Sequence, residues 1–401
     1  MSAFKKILLL FLIWRLFLFI PLIAGHQFLP YRPDSDYTNI WKFTEPYFPV
    51  DHFLLYPWAN FDGVHYLSIA ESGYQDNERF LPAFPLLIRF FVSLFGGGEP
   101  YSAIYFFTAI GIVHLLFLVS LVLLYKLIRM DFSEKIAFAS VIFLLLFPTS
   151  FFFVSIYSES LFLFLTLLSF YCAYKRQWLG AGIAGMFMSA TRIVGVSILP
   201  AMLYEYYIQS LRGAQRRSNP AEIATSPAKR GTRNDKNVIP LLFVPLGVFG
   251  YAIFNFFTRG DALYFLKAHE SLGNSRELGV VLFPQTVFRY VKILTALPYS
   301  QFEWWIALLE LSTFVIVALL LYIGWKKNIR TSYLIFSLLC FFIPASSGTF
   351  TALPRYVAII FPLFITLALV KNKSVQIAYM AIAVPIFFVL LMFFSRGYFV
   401  A

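Results

Sequence analysis

Asp62, His65 and Tyr66 fall within four positions of one another, in the stretch FDGVHYLSIAESGYQDNERFLPAFPL that covers residues 61–86. A carboxylate that opens a short helix can take a proton from an attacking hydroxyl, and the positive end of the helix keeps it ionised. Aspartate is also a good N-cap, so capping is the competing role for Asp62. His65 is three residues on and shares a side with Asp62 and Tyr66. At that spacing the pair could share a divalent ion, or His65 could bond a substrate oxygen. Two ligands are fewer than a hard cation takes, so no metal site is assigned and a divalent ion remains only an option.

Further along, Glu159 stands in Tyr157-Ser158-Glu159-Ser160-Leu161-Phe162, where a helix re-enters an apolar layer. It fits either catalytic support or a structural role, as a capping residue or as partner to a membrane arginine. Arg192 and Arg355 are the phosphate candidates. A guanidinium grips phosphate through two parallel hydrogen bonds and stays charged when buried. A buried ion pair with Asp or Glu is the alternative for each.

The elements that must hold these groups are helical. Val64, Leu67, Ala70 and Tyr74 recur at helical spacing and place Asp62, His65 and Tyr66 on another side. Such a helix would lie along a membrane surface with its polar side free. Gly73 supplies its stop, and Pro82 and Pro85 shape re-entry into the apolar layer.

Of the 401 residues, 60% are hydrophobic and 13% charged, against about 25% charged in soluble domains. Long apolar runs predict an all-α, polytopic transmembrane bundle with about 11 spans and interfacial helices in the first outer loop. The net charge of +12 comes from basic residues scattered at the ends of apolar segments. That is a topology signal, not a nucleic-acid stripe. Cys172 and Cys340 lie inside apolar runs, so no disulfide frame is indicated.

Lys5 and Lys6 precede the apolar run 7–24, which no small-residue cleavage pattern follows. It is expected to be an uncleaved first helix with a cytoplasmic N-terminus. Arg15, at its middle, must face protein or a wet cavity, either paired with an acid on another helix or binding an anionic lipid head. Residues 25–80 form an acid-rich outer loop, with Asp34, Asp36, Glu45 and Asp51 among its acids, while 208–237 is basic and rich in Ser, Asn and Pro, as a cytoplasmic linker would be. These divide the chain into an N-terminal module, 1–207, the linker, and C-terminal transmembrane helices, 238–401. Residues 178–207 are too long for one ordinary span, and a single crossing would put the basic linker outside. The chain is therefore expected to turn back near Arg192, at a break lining a cavity.

The run Phe61-Asp62, His65-Tyr66, Ile69-Ala70, Gly73-Tyr74 and Phe80-Leu81-Pro82-Ala83-Phe84-Pro85-Leu86 resembles the first large lumenal loop of the PIG-V family of GPI mannosyltransferases and their prokaryotic relatives. These belong to the GT-C class of membrane glycosyltransferases. The Glu159 segment resembles a second motif of that family. Thr191-Arg192 with Gly195 resembles the arginine-bearing turn of the class, and Arg355-Tyr356 a later one. Gly260-Asp261 with Phe265-Leu266 and His269 resembles, more loosely, a lumenal stretch of several GT-C families, though plain loop residues fit there too.

The resemblance implies a polyprenyl- or dolichyl-phosphate mannose donor, a glycan or glycolipid acceptor on the extracytoplasmic or lumenal face, and inversion at the anomeric carbon. The membrane would be the plasma membrane or the endoplasmic reticulum. Asp62, with His65 and Glu159, would be catalytic, Arg192 and Arg355 would bind the donor phosphate, and Tyr66, Tyr74, Asp261 and Tyr356 would contact substrate. No nucleotide-binding signature is present. The competing class is a lipid-linked-sugar flippase or transporter. It would share the spans and buried arginines but has no need of an exposed aspartate in an acidic interfacial loop, and it often shows repeat symmetry.

Overall fold

A computed structural model describes residues 2–32, 53–98, 102–217, 238–268 and 281–400, and every regular element among them is helical. Asp34, Asp36, Glu45 and Asp51 of the first loop, His269, and residues 218–237 of the basic linker lie outside the described residues. Among the described residues, five helical stretches are long and apolar enough to cross a membrane: Ala3–Phe28, Ala103–Ile128, Ile239–Arg259, Phe302–Lys326 and Lys373–Ser395. Ala83–Leu94, Glu159–Tyr174, Trp178–Ser189 and Thr331–Ala345 are apolar but shorter. The protein is thus a multi-pass membrane protein, and a count of about 11 spans requires these shorter helices and others to cross as well.

The first stretch is α1 (Ala3–Phe17) and α2 (Phe19–Phe28), with Ser2 capping α1 by accepting from the Lys5 amide. Of the two roles expected for Arg15, pairing with an acid is not seen among the described residues. Its Nε donates to His114 Nε2 at 2.8 Å, and its guanidinium lies over the Phe19 and Trp58 rings at 4.7 and 4.6 Å. Because arginine only donates, Nε2 accepts and Nδ1 carries the proton, which it gives to the Ile110 carbonyl at 2.8 Å.

The loop helix forms as the spacing predicts. α3 runs Asp62–Ser72 and ends at Gly73, whose φ of 88° is the left-handed geometry that ends a helix. It packs on α4 (Ala83–Leu94) and on α5 (Ala103–Ile128). Arg89 of α4 fixes the α3 terminus by donating to the Ile69 and Ala70 carbonyls at 2.9 and 2.7 Å.

After α5 come α6 (Glu134–Leu145), a 3-10 turn (Ser150–Val154), α7 (Glu159–Tyr174) and α8 (Trp178–Ser189). The break expected near Arg192 is present. α8 stops at Ser189, a 3-10 turn spans Ile193–Ser197, and α9 (Ile198–Arg217) follows, extending into the segment read as linker. Gly195 permits this reversal, since a Cβ there would stand 2.5 Å from the Met188 carbonyl oxygen.

The C-terminal part contains α10 (Leu246–Arg259), α11 (Tyr264–Lys267), α12 (Phe283–Ala296), α13 (Phe302–Lys326), α14 (Thr331–Ala345), α15 (Leu353–Ala358), α16 (Pro362–Leu369) and α17 (Lys373–Ser395). It does not stand apart from the first part. α17 packs on α2, α16 on α6 and α14 on α9. One apolar core, from Ile7 in α1 to Phe394 in α17, runs through both.

Candidate active site

Asp62 is the first residue of α3. The residue before it, Phe61, has φ 57° although it is not glycine, and its ring packs on Phe394 and Phe399 at 5.6 and 5.5 Å. Such strain persists only where the surroundings impose it, and it clusters at functional sites. The same entry is tied down on both sides. Asn60 Nδ2 donates to the Phe394 carbonyl at 3.0 Å, and Tyr157 donates its hydroxyl proton to the Asn60 carbonyl at 2.9 Å. Asp62 makes no capping hydrogen bond through Phe61 or its own side chain to the helix amides, so capping is not its role here.

Its carboxylate meets Arg355 instead. Arg355 Nη1 donates to Asp62 Oδ2 at 2.7 Å. Arg355 Nε lies 3.3 Å from Glu159 Oε1, and Arg192 Nη1 donates to that same oxygen at 2.6 Å. The four groups form a row of alternating charge, Asp62–Arg355–Glu159–Arg192. Its ends are partly exposed, with side-chain exposure of 19% at Asp62 and 15% at Arg192, while Arg355 and Glu159 are at 7% and 2%. Tyr356 lies under both arginines, 4.7 Å from Arg192 and 5.3 Å from Arg355. Glu159 Oε2 is buried with no hydrogen-bond partner. Asp62 Oδ1 accepts no hydrogen bond among the described residues, so one oxygen of the carboxylate is left for a ligand.

Burial alone would raise the Asp62 carboxyl, but Arg355, then Arg79 and His65, outweigh it and hold the group below the usual carboxylate value. His65 is lowered by burial and by Arg79, against the pull of Asp62 and Asn77, so it is a neutral imidazole at pH 7. Its Nδ1 is 3.1 Å from Asn77 Oδ1, and its ring stacks on Phe80 at 5.1 Å. Asp62 and His65 gather no third His, Cys, Asp or Glu into a metal-binding group among the described residues.

The remaining expected residues divide into two places. Tyr66 is buried and donates to Ser158 Oγ at 3.1 Å, which ties α3 to the start of α7 beside Glu159. Tyr74 donates to the Phe80 carbonyl at 2.8 Å and packs on Tyr251 and Phe254. Asp261 pairs with Lys267 at 2.5 Å and accepts from the Leu263 amide at 2.9 Å. Tyr74 and Asp261 therefore belong to the surroundings of α10 and α11, with no contact to the charged row among the described residues.

Several contributors carry no signal in the sequence beyond their type. Asn60 and Tyr157 shape the Asp62 turn, and Arg79 reaches it electrostatically. Glu310 of α13 is buried in the apolar layer and accepts from the Tyr290 hydroxyl at 2.5 Å and from the Ala352 amide at 3.2 Å. Ala352 has φ 63° and caps α15, the helix that carries Arg355. A charged residue inside an apolar run was the available clue to Glu310.

No curated protein matches the sequence. The family described as Mannosyltransferase (PIG-V) matches residues 5–217. The matched segment contains Asp62, Glu159 and Arg192, and the fold adds Arg355 to them from beyond its end. With a membrane-embedded helical fold and these residues in one charged row, the chain belongs to the PIG-V mannosyltransferase family.

Proposed function

We propose that the protein transfers a hexose, mannose on the family's precedent, from a polyprenyl- or dolichyl-phosphate carrier to a hydroxyl of a glycan or glycolipid. The reaction lies on the extracytoplasmic or lumenal side, with the N-terminus in the cytoplasm. The observation that carries this reading is the Asp62–Arg355–Glu159–Arg192 row, which sets an ionised carboxylate beside guanidinium groups at a membrane-embedded site.

The acceptor hydroxyl binds Asp62 Oδ1. Its oxygen attacks the anomeric carbon from the face opposite the phosphate, its proton passes to Asp62, and the carbon–oxygen bond to phosphate breaks with its electron pair leaving on the phosphate. A single displacement of this kind inverts the anomeric centre. Arg192 and Arg355 steady the phosphate as its charge grows, and Glu159 holds the two guanidinium groups in place beforehand, so that little reorganisation is left for the reaction itself. Tyr356 supports the same guanidinium planes. His65, Tyr66, Tyr74 and Asp261 are further from this step, and of them His65 is the one placed to bond a sugar oxygen.

The test is transfer from labelled polyprenyl-phosphate mannose by wild type and Asp62→Asn. Loss of transfer in the variant is expected. Retained transfer would remove the base assignment, and a wild type that transfers to no acceptor but moves the lipid-linked sugar across the bilayer would replace the enzyme with a flippase.

A further inference from the structure

Both arginines that the sequence marks as phosphate ligands are already engaged. Arg355 spans Asp62 and Glu159, and Arg192 holds Glu159. The row carries two positive and two negative charges and is neutral as a whole. A prenyl phosphodiester is a monoanion, and its product phosphate, once the sugar leaves, carries more negative charge. A neutral row offers such a ligand no excess positive charge, so a further cation beside it would strengthen the hold on the phosphate.

Arg79 is such a cation. It follows Glu78, which is taken by Arg259 of α10, and it precedes Phe80. Its guanidinium lies 4.6 Å over the Phe80 ring. That ring also stacks on His65 at 5.1 Å and meets the Tyr66 ring edge-on at 4.9 Å. Arg79 is thus anchored through one aromatic side chain to the polar side of α3, within the first helical turn after Asp62. It forms no ion pair with a carboxylate among the described residues, and its Nε is buried without a hydrogen-bond partner. A half-buried arginine with an orphaned donor is a costly arrangement unless a ligand completes it.

We propose that Arg79 is a phosphate-binding residue of the donor site, meeting the prenyl-linked phosphate from the loop side while the Asp62–Arg192 row meets it from the membrane side. This rests on the donor class given above. Its charge already reaches Asp62 and His65, which supports its closeness to the reacting groups.

Binding of a prenyl phosphate without sugar, titrated onto the full-length protein in nanodiscs of zwitterionic lipid, tests the proposal without requiring turnover. Arg79→Gln is expected to weaken binding by about tenfold or more, the scale of one lost charge-assisted contact, and Arg79→Lys to recover part of it. Wild-type binding should also weaken as salt rises, and more steeply than in Arg79→Gln. Unchanged affinity in Arg79→Gln, in protein whose thermal unfolding matches wild type, overturns the assignment. Equal competition by phosphatidic acid or inorganic phosphate also overturns it, because Arg79 would then serve a bilayer headgroup or a free phosphate. If wild type binds prenyl phosphate through Arg79 yet transfers no hexose, the transferase reading falls and the phosphate site stands.

Discussion

Asp62 and Arg355 are 293 positions apart in the chain and 2.7 Å apart in the fold. Each follows closely on a non-glycine residue in the left-handed region, Phe61 at φ 57° directly before Asp62 and Ala352 at φ 63° three positions before Arg355. Two strained turns, one in the first loop and one after α14, therefore aim the two halves of a single ion pair.

Asp62→Asn keeps shape and most packing but removes the charge that accepts the proton. Transfer is expected to fall by about 10²-fold to 10⁴-fold, the usual contribution of a positioned base. Stability should change far less, because Arg355 keeps Glu159. Initial rates with labelled donor, read beside the unfolding temperature, check both parts.

Glu159→Gln has the opposite profile. It takes the negative centre from between Arg355 and Arg192, leaving Arg192 without its carboxylate and the buried Arg355 with Asp62 alone. Breaking a buried pair by removing one partner costs about 3–5 kcal/mol. A large drop in unfolding temperature in detergent is expected, larger than that of Asp62→Asn. The reverse order would show that the row is not centred on Glu159.

Glu310 acts through other residues. Glu310→Ala removes the acceptor for the Ala352 amide and the Tyr290 hydroxyl, at a cost of about 1–3 kcal/mol for buried donors left unsatisfied. Because Ala352 sets the start of α15, the turnover number should fall while the Michaelis constant for the acceptor moves little. Glu310→Gln keeps an oxygen for the Ala352 amide and is expected to restore most of the rate. Equal loss in both variants would limit Glu310 to a role in packing.

The pH dependence has a defined sign. The Asp62 carboxyl is held low in the fold, so its contribution to stability is present above its unfolded value near pH 3.8 and is lost as pH falls through the lower folded value. The His65 imidazole is also held low. Below about pH 6.5 the unfolded chain takes up a proton that the folded state refuses, so stability declines as pH drops below that value. Unfolding temperature should fall between pH 7.5 and 5.5 in wild type and fall less in His65→Gln. An unchanged slope in the variant would place the titrating group elsewhere.

The helices, the loop helix beginning at Asp62 and ending at Gly73, and the reversal at Arg192 were legible in the sequence, because apolar period, a glycine stop and charge at the ends of spans are local signals. Asp62, Glu159, Arg192 and Arg355 were each singled out in the sequence, Asp62 at the start of the loop helix and the others as charges within or beside apolar runs, but nothing in it grouped them. Of the two roles expected for Arg15, an acid partner or a lipid head, the acid is replaced by His114, a ring on another helix that periodicity does not single out.

What only the tertiary structure decided is the order of the charges. The sequence offered Arg192 and Arg355 alike as phosphate ligands; in the fold Arg355 meets Asp62, and Glu159 bridges the two arginines. It also separated Tyr74 and Asp261 from the row and left Arg79 without a carboxylate partner among the described residues. Ion pairing depends on distances of a few ångströms between side chains brought together by helix packing. A chain of 401 residues specifies which charges exist through its order, and it specifies which of them meet only once the apolar core has closed.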